Sequence, residues 1–172
     1  MPGRLGPDEL GSQKDEPEAP SLGRGGQVPA AATIHDLDAE ECWTLLRKHS
    51  LGRLALIVEG RPEIFPVNYA AGEGAIVFRT QPGTKLRHAP GHVAAFEVDG
   101  YDHSTGIGWS VVVSGEVAEI TDAADERSQA LRRLPVETAV PGARLHWLAI
   151  DAARVTGRSF RGGWMVPGGY LG

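Results

Sequence analysis

The stretch Phe78-Arg79-Thr80-Gln81-Pro82-Gly83-Thr84-Lys85-Leu86-Arg87 gathers three cations and two hydroxyls around a Pro-Gly turn. Arginine and lysine offer charge-assisted donors and threonine offers neutral ones. The turn exposes backbone N–H groups, and a helix dipole is added if Thr84 opens a helical turn. Such a set suits a phosphate monoester. The same residues also describe a solvated basic loop, and the stretch alone does not separate the two.

Other groupings carry less chemistry. His88 and His92 stand four apart, the spacing that places two imidazoles on one helical face for zinc, but Pro90-Gly91 lies between them and breaks that helix. Gly83-Thr84-Lys85 has part of a phosphate-loop motif in the wrong order, and Gly106-Ile107-Gly108 is followed by Val111 where a dinucleotide fingerprint needs glycine. No serine stands in a G-x-S-x-G frame. Cys42 is the only cysteine and has no His or carboxylate pointing to it, so it reads as a small buried hydrophobe. The remaining candidate is the basic turn.

The elements that would position this turn follow from pattern. Asp38 is an N-cap with Glu41 three residues on, and Cys42, Leu45 and Leu46 recur at helical spacing, which predicts a helix over Asp38–Lys48. Short β-rich runs follow, at Arg53–Val58, Glu63–Tyr69 and Ala75–Thr80, separated by Glu59-Gly60, Gly72-Glu73-Gly74 and Pro82-Gly83. Turns spaced roughly eight to twelve residues apart indicate an antiparallel sandwich or barrel. Further strands are expected at Val93–Asp99, at Trp109–Ile120 with Gly115 as a bulge site, and at Leu145–Val155. A second helix is expected at Asp122–Arg133. Pro66 cannot donate to a ladder, so its strand is unpaired or at an edge there, with room for a ligand to approach.

Composition narrows the class. The chain has 172 residues, 41% hydrophobic and 23% charged, enough for one compact domain. Its net charge of -5 argues against nucleic-acid binding as the main activity. No apolar run reaches membrane-spanning length, there is no apolar leader, and one cysteine makes no internal pair, so a cytoplasmic protein without a membrane partner is expected. Residues 1–30 contain six Gly and five Pro among scattered charges, and are expected to be a disordered tail preceding a single domain over residues 31–172.

Five blocks then carry a resemblance: Ile64-Phe65-Pro66-Val67-Asn68-Tyr69, Val77-Phe78-Arg79-Thr80, Gly83-Thr84-Lys85-Leu86, Val93-Ala94-Ala95-Phe96-Glu97-Val98-Asp99-Gly100 and Trp109-Ser110-Val111-Val112-Val113-Ser114-Gly115. In order and spacing they resemble pyridoxamine 5'-phosphate oxidase-like, flavin-binding split-barrel proteins across roughly Asp38–Arg158. The likeness is strongest to the small actinobacterial and nitroimidazole-resistance branch. It implies a mainly β fold, a six-stranded antiparallel split β-barrel with flanking helices, and a homodimer that binds FMN between subunits. Arg79, Thr80, Thr84 and Lys85 match the block that holds the flavin phosphate. Pro66, Val67, Asn68 and Tyr69 match the strand lying along the ring, and Trp109 and Ser110 match a strand start that approaches the ring from the partner subunit.

Two departures qualify this likeness. Thr84-Lys85 stands where the true vitamin B6 oxidase has an Arg-Lys pair, and Gly-Gly and Trp164 surround Arg158 and Arg161 where that enzyme has an Arg-rich substrate signature. Oxidation of pyridoxine phosphate is therefore not implied. The resemblance implies flavin-dependent redox chemistry on a small organic substrate, with the reactivity residing in the cofactor. A deazaflavin-dependent reductase, or a non-catalytic flavin- or haem-binding module, would use the same barrel.

Overall fold

The computed structural model describes residues 33–121, 125–137 and 146–161. The expected tail over residues 1–30 lies outside them, as do Trp164 and the first residues of the expected strand and helix at Leu145 and Asp122. The elements are β1 (Thr33–Leu37), α1 (Ala39–Lys48), β2 (Leu51–Val58), β3 (Arg61–Gly72), β4 (Ala75–Thr80), α2 (Thr84–His88), β5 (Val93–Asp102), β6 (Ile107–Glu119), α3 (Glu126–Arg132) and β7 (His146–Arg161).

All strand pairs are antiparallel, in the order β1-β7-β4-β3-β2-β5-β6, and a further β6–β7 pairing closes β2 to β7 into a ring of six strands. The expected six-stranded split barrel is present. A seventh strand, β1, adds to the far end of β7, with Thr33 opposite Arg161 and Leu37 opposite Gly157. Its sequence, Thr-Ile-His-Asp-Leu, is short and mostly exposed, so it carried no alternation by which to be found.

Local chemistry explains the connections. Glu59 and Gly60 in one turn and Glu73 and Gly74 in the next all have positive φ, the backbone of tight two-residue hairpins that join β2 to β3 and β3 to β4. Gly115 sits where the β6–β7 register shifts, the expected bulge, and a Cβ there would run into the Asp151 carbonyl. At α1 the Glu41 N–H donates to Asp38 Oδ1 at 2.8 Å and the Asp38 N–H donates to Glu41 Oε2 at 2.8 Å, a complete capping box.

The barrel interior is one apolar cluster that includes Leu54, Leu56, Tyr69, Ile76, Phe78, Phe96, Val111, Val113, Leu148 and Ile150. Helix α1 packs on β3, β6 and β7 with Cys42 and Leu46, both fully buried, the leucine side chain contributing roughly 1.5 to 3 kcal/mol. Burial first, then Asp38 and Glu41 nearby, pushes the Cys42 thiol above its ordinary pKa and keeps it protonated. A second cluster lies where α3 packs on β4 and β7, with Ala75, Val77, Ile120, Leu131 and Ala149 at its centre.

Candidate functional site

Strand β3 serves two partners in turn. Its first part, Arg61 to Asn68, pairs with β2, and its last part, Tyr69 to Gly72, pairs with β4. The β3–β4 ladder stops at Tyr69 opposite Phe78, so Phe65–Asn68 and the end of β4 diverge. The Tyr69 N–H donates to the Ser50 carbonyl at 2.9 Å on the β2 side. By alternation the even-numbered residues Pro66 and Asn68 turn their backbone polar groups the other way, into the gap. Pro66 has no N–H to leave unpaired there, while the Asn68 N–H faces the gap.

The gap is a cleft of about 560 Å³, lined by Leu51, by Phe65 to Asn68, by Arg79 to Lys85 and by Glu137. Seven of the ten expected site residues therefore converge: Pro66, Val67 and Asn68 on one wall, Arg79 and Thr80 on the other, and Thr84 and Lys85 at the rim. Thr84 opens α2, which at five residues is too short to lend much dipole, so the side chains carry the charge. Lys85 Nζ rests 5.0 Å above the Phe65 ring, and Arg79 stacks on Trp147 at 4.9 Å. Both contacts fix a cation without neutralising it.

Cations without a carboxylate occur elsewhere among the described residues, Lys48, Arg61, Arg154 and Arg161 among them, and what sets the cleft apart is two such cations held against aromatic rings in one concavity. Arg47, Arg53, Arg127 and Arg158 are each committed to a carboxylate, Arg53 to both Glu97 and Asp99 at 2.8 and 2.6 Å. Among the described residues neither Arg79 nor Lys85 has an ion-pair partner, and Arg79 Nε is buried with no hydrogen bond. Thr80 is buried, its hydroxyl reaching only the Gln81 carbonyl at 3.2 Å. Donors held in place and left unpaired in a concave site are what an anion needs.

Three expected residues do not line the cleft of this chain, two of which, Trp109 and Ser110, are expected to reach a ligand from the partner subunit. Tyr69, expected along a ligand ring, has its side chain in the barrel core: it is 1% exposed, its hydroxyl donates to the Leu46 carbonyl at 2.8 Å, and its ring meets Phe96 edge-on at 4.8 Å. Burial pushes its phenol well above the ordinary range, so it stays protonated. Trp109 packs on the His49 ring at 4.8 Å, and Ser110 lines a separate cavity with Val112, Arg154 and Arg158. Within this single chain β6 does not reach the cleft. His88 ends α2, and His92 Nδ1 lies 3.1 Å from the Pro90 carbonyl, so the two rings are not a pair on one face. Among the described residues no helix is long and apolar enough to cross a membrane.

Sequence reasoning missed Leu51, Phe65 and Glu137 as cleft residues. Phe65 lay within a quoted block and Leu51 faces Asn68 in the β2–β3 register, but Glu137 comes from beyond α3 and no local pattern announces it.

Solved structures share this fold. An FAD-binding protein from Mycobacterium smegmatis is 35% identical, with 74% of this chain and 98% of that chain covered at a TM-score of 0.60. An FAD-binding protein from Mesorhizobium loti is 25% identical, covering 73% of this chain and 97% of that one at 0.61. An uncharacterized protein of Mycobacterium tuberculosis is 33% identical over 105 residues, 58% of this chain and 69% of its own. The family model described as pyridoxamine 5'-phosphate oxidase matches residues 38–159, from the N-cap of α1 to within two residues of the end of β7, and the chain belongs to that family.

Proposed function

We propose that the β3–β4 cleft binds a flavin by its phosphate, and that the protein is a flavoprotein oxidoreductase acting on a small organic substrate. The observation that carries this reading is the pair of uncommitted, immobilised cations, Arg79 and Lys85, beside Thr80 and Thr84 where the ladder stops. The residues fit the group. Lys85, Arg79 and the two hydroxyls would hold a phosphate dianion, and the Asn68 N–H would meet the polar edge of a ring lying along Pro66 and Val67. When bound, the flavin supplies hydride or electron transfer, so the protein's own task is to bind, orient and shield it. The Mycobacterium smegmatis and Mesorhizobium loti relatives are described as FAD-binding, which favours a flavin over pyridoxine phosphate.

The reading includes a homodimer. Ile57, Ile64 and Val93 are 62%, 67% and 72% exposed. They share the outer face of β2, β3 and β5, where Ile64 lies opposite Ala55 and Ala55 opposite Ala95. That face runs on to Leu51, 61% exposed at the mouth of the cleft, so a second copy seated there would also enclose the ligand. Sedimentation at micromolar concentration should give a dimer, and a monomer that still holds flavin would overturn this part.

Calorimetric titration of FMN and of riboflavin, which has no phosphate, into wild type and Lys85→Ala tests the phosphate site. Removing one partner of a charge-assisted contact costs about 1.5 to 3 kcal/mol, or roughly 10- to 150-fold in FMN affinity. Riboflavin should bind both proteins alike. Equal FMN affinities would remove Lys85, and the site with it, from the phosphate.

A further inference from the structure

We propose that a second cavity, which shares Leu51 and Pro66 with the cleft, is the substrate site, and that it takes a flat organic monocarboxylate with Lys48 and His49 as donors to the carboxylate. The inference rests on the flavin reading above, because it seats the substrate beside the ring lying along Pro66, and it names the substrate's class.

The cavity measures about 460 Å³ and is lined by the run from Lys48 to Arg53, by Pro66 and by Asp99. Leu51 and Pro66 line the cleft as well, so the two concavities meet at these apolar side chains. The donors come from the short link between the end of α1 at Lys48 and the start of β2 at Leu51. Tyr69 brackets that link, its hydroxyl donating to the Leu46 carbonyl at 2.8 Å and its N–H to the Ser50 carbonyl at 2.9 Å. The His49 ring is held against Trp109, with 4.8 Å between centroids. Among the described residues the Lys48 and His49 side chains make no hydrogen bond and no ion pair. Two donors on a pinned link in a concave site are suited to one acceptor group.

Charge sets the class. Arg53, the other cation of the lining, is committed to Glu97 and Asp99 at 2.8 and 2.6 Å, which leaves that wall with one net negative charge. Lys48 then matches a single negative charge, and the second charge of a phosphate dianion would face Asp99. A carboxylate is a planar monoanion that accepts from an ammonium and an imidazole N–H together. Leu51 and Pro66 give its carbon skeleton an apolar wall, which favours an aromatic or unsaturated body over a polar one.

The test is an NMR titration of the full chain, with and without FMN, using benzoate, its neutral counterpart benzamide and the dianion phenyl phosphate. Benzoate should shift the amide signals of residues 48–53 and the Trp109 indole, and on the FMN-loaded chain should bind at least about threefold tighter than either analogue. In Lys48→Met the preference for benzoate over benzamide should vanish, with FMN affinity within about twofold of wild type. His49→Phe, which keeps a ring against Trp109 but offers no donor, should weaken benzoate roughly 2- to 5-fold. FMN binding with residues 48–53 unmoved by benzoate, or a preference that survives Lys48→Met, would overturn the carboxylate site and leave the flavin reading standing. Lys48-dependent benzoate binding by a chain that takes no FMN would uphold the carboxylate site while the flavin reading falls. If neither binds, both are overturned.

Discussion

Two strand pairs of one barrel behave in opposite ways. Strands β6 and β7 are paired along the whole of Ile107–Glu119, with Val111, Val113 and Val117 fully buried between them and the interior. Strands β3 and β4 pair only from Tyr69 to Gly72 before parting. Where the ladder is complete, backbone groups and side chains are used up by the fold. Where it stops, an amide N–H, the Thr84 hydroxyl and two cations remain for something else. With the cleft proposed as the flavin site, stability and ligand binding would reside in different walls, and variants should separate them.

The largest effect is expected in the closed wall. At Gly115 an added Cβ meets the Asp151 backbone carbonyl, which no rotamer change can relieve. Gly115→Ala should cost on the order of 3 kcal/mol or more, seen as a shifted urea midpoint or an insoluble chain. Retention of wild-type stability would mean that this wall yields as easily as the open one. By contrast Lys85→Ala, so damaging to FMN affinity, should change the stability of the ligand-free protein by no more than about 0.5 kcal/mol in the same denaturation.

Tyr69 sits where the paired part of the open wall gives way to the cleft, the last β3 residue whose neighbour on β4 is paired. Tyr69→Phe leaves the Leu46 carbonyl without its donor and should cost about 1 to 2 kcal/mol of stability, with flavin affinity within about twofold of wild type. A variant of unchanged stability but tenfold weaker flavin binding would return Tyr69 to the ligand and move the boundary between the walls.

The sequence showed some of this and hid the rest for physical reasons. The capping box at Asp38 and the Glu-Gly turns are local, so residues two or three apart suffice to read them. The basic turn was legible because Arg79, Thr84 and Lys85 are all supplied by one short stretch. The burial of the Tyr69 side chain was not legible because a block motif says which strand lies by a ligand, not which face each side chain takes, and here odd residues of β3 point inward. Trp147 and Glu137 reach the cleft region only through the β4–β7 pairing and the chain after α3, separations of more than fifty residues from Arg79 that no window spans. Strand β1 is defined only by its partner. Among the local signals, the cap is also the easiest to weigh: Asp38→Ala should cost about 1 kcal/mol without affecting the cleft, measured by thermal unfolding with and without FMN.

The smallest effect, and the one most sharply tied to pH, belongs to the β5–β6 turn at the far end of the closed wall. The Asp102 carboxylate accepts from the Ser104 N–H at 2.8 Å, the Ser104 hydroxyl at 2.6 Å and the Thr105 hydroxyl at 2.9 Å. These bonds, led by the Ser104 hydroxyl, hold its pKa at about 2, below the ordinary 3.8. A carboxyl whose folded pKa is depressed adds stability that is fully present above its unfolded pKa and disappears as pH falls through its folded one. Asp102→Asn should therefore lower the unfolding midpoint slightly and by a constant amount above about pH 5, and the gap from wild type should close as pH descends from about 4 toward 2. Because the carboxylate is exposed to solvent, the gap should also shrink with added salt. The cleft lies on other strands, so FMN affinity at neutral pH should not follow it. A variant that lost flavin affinity along with this turn would show that the closed wall transmits its state to the open one, and the separation of the two would have to be given up.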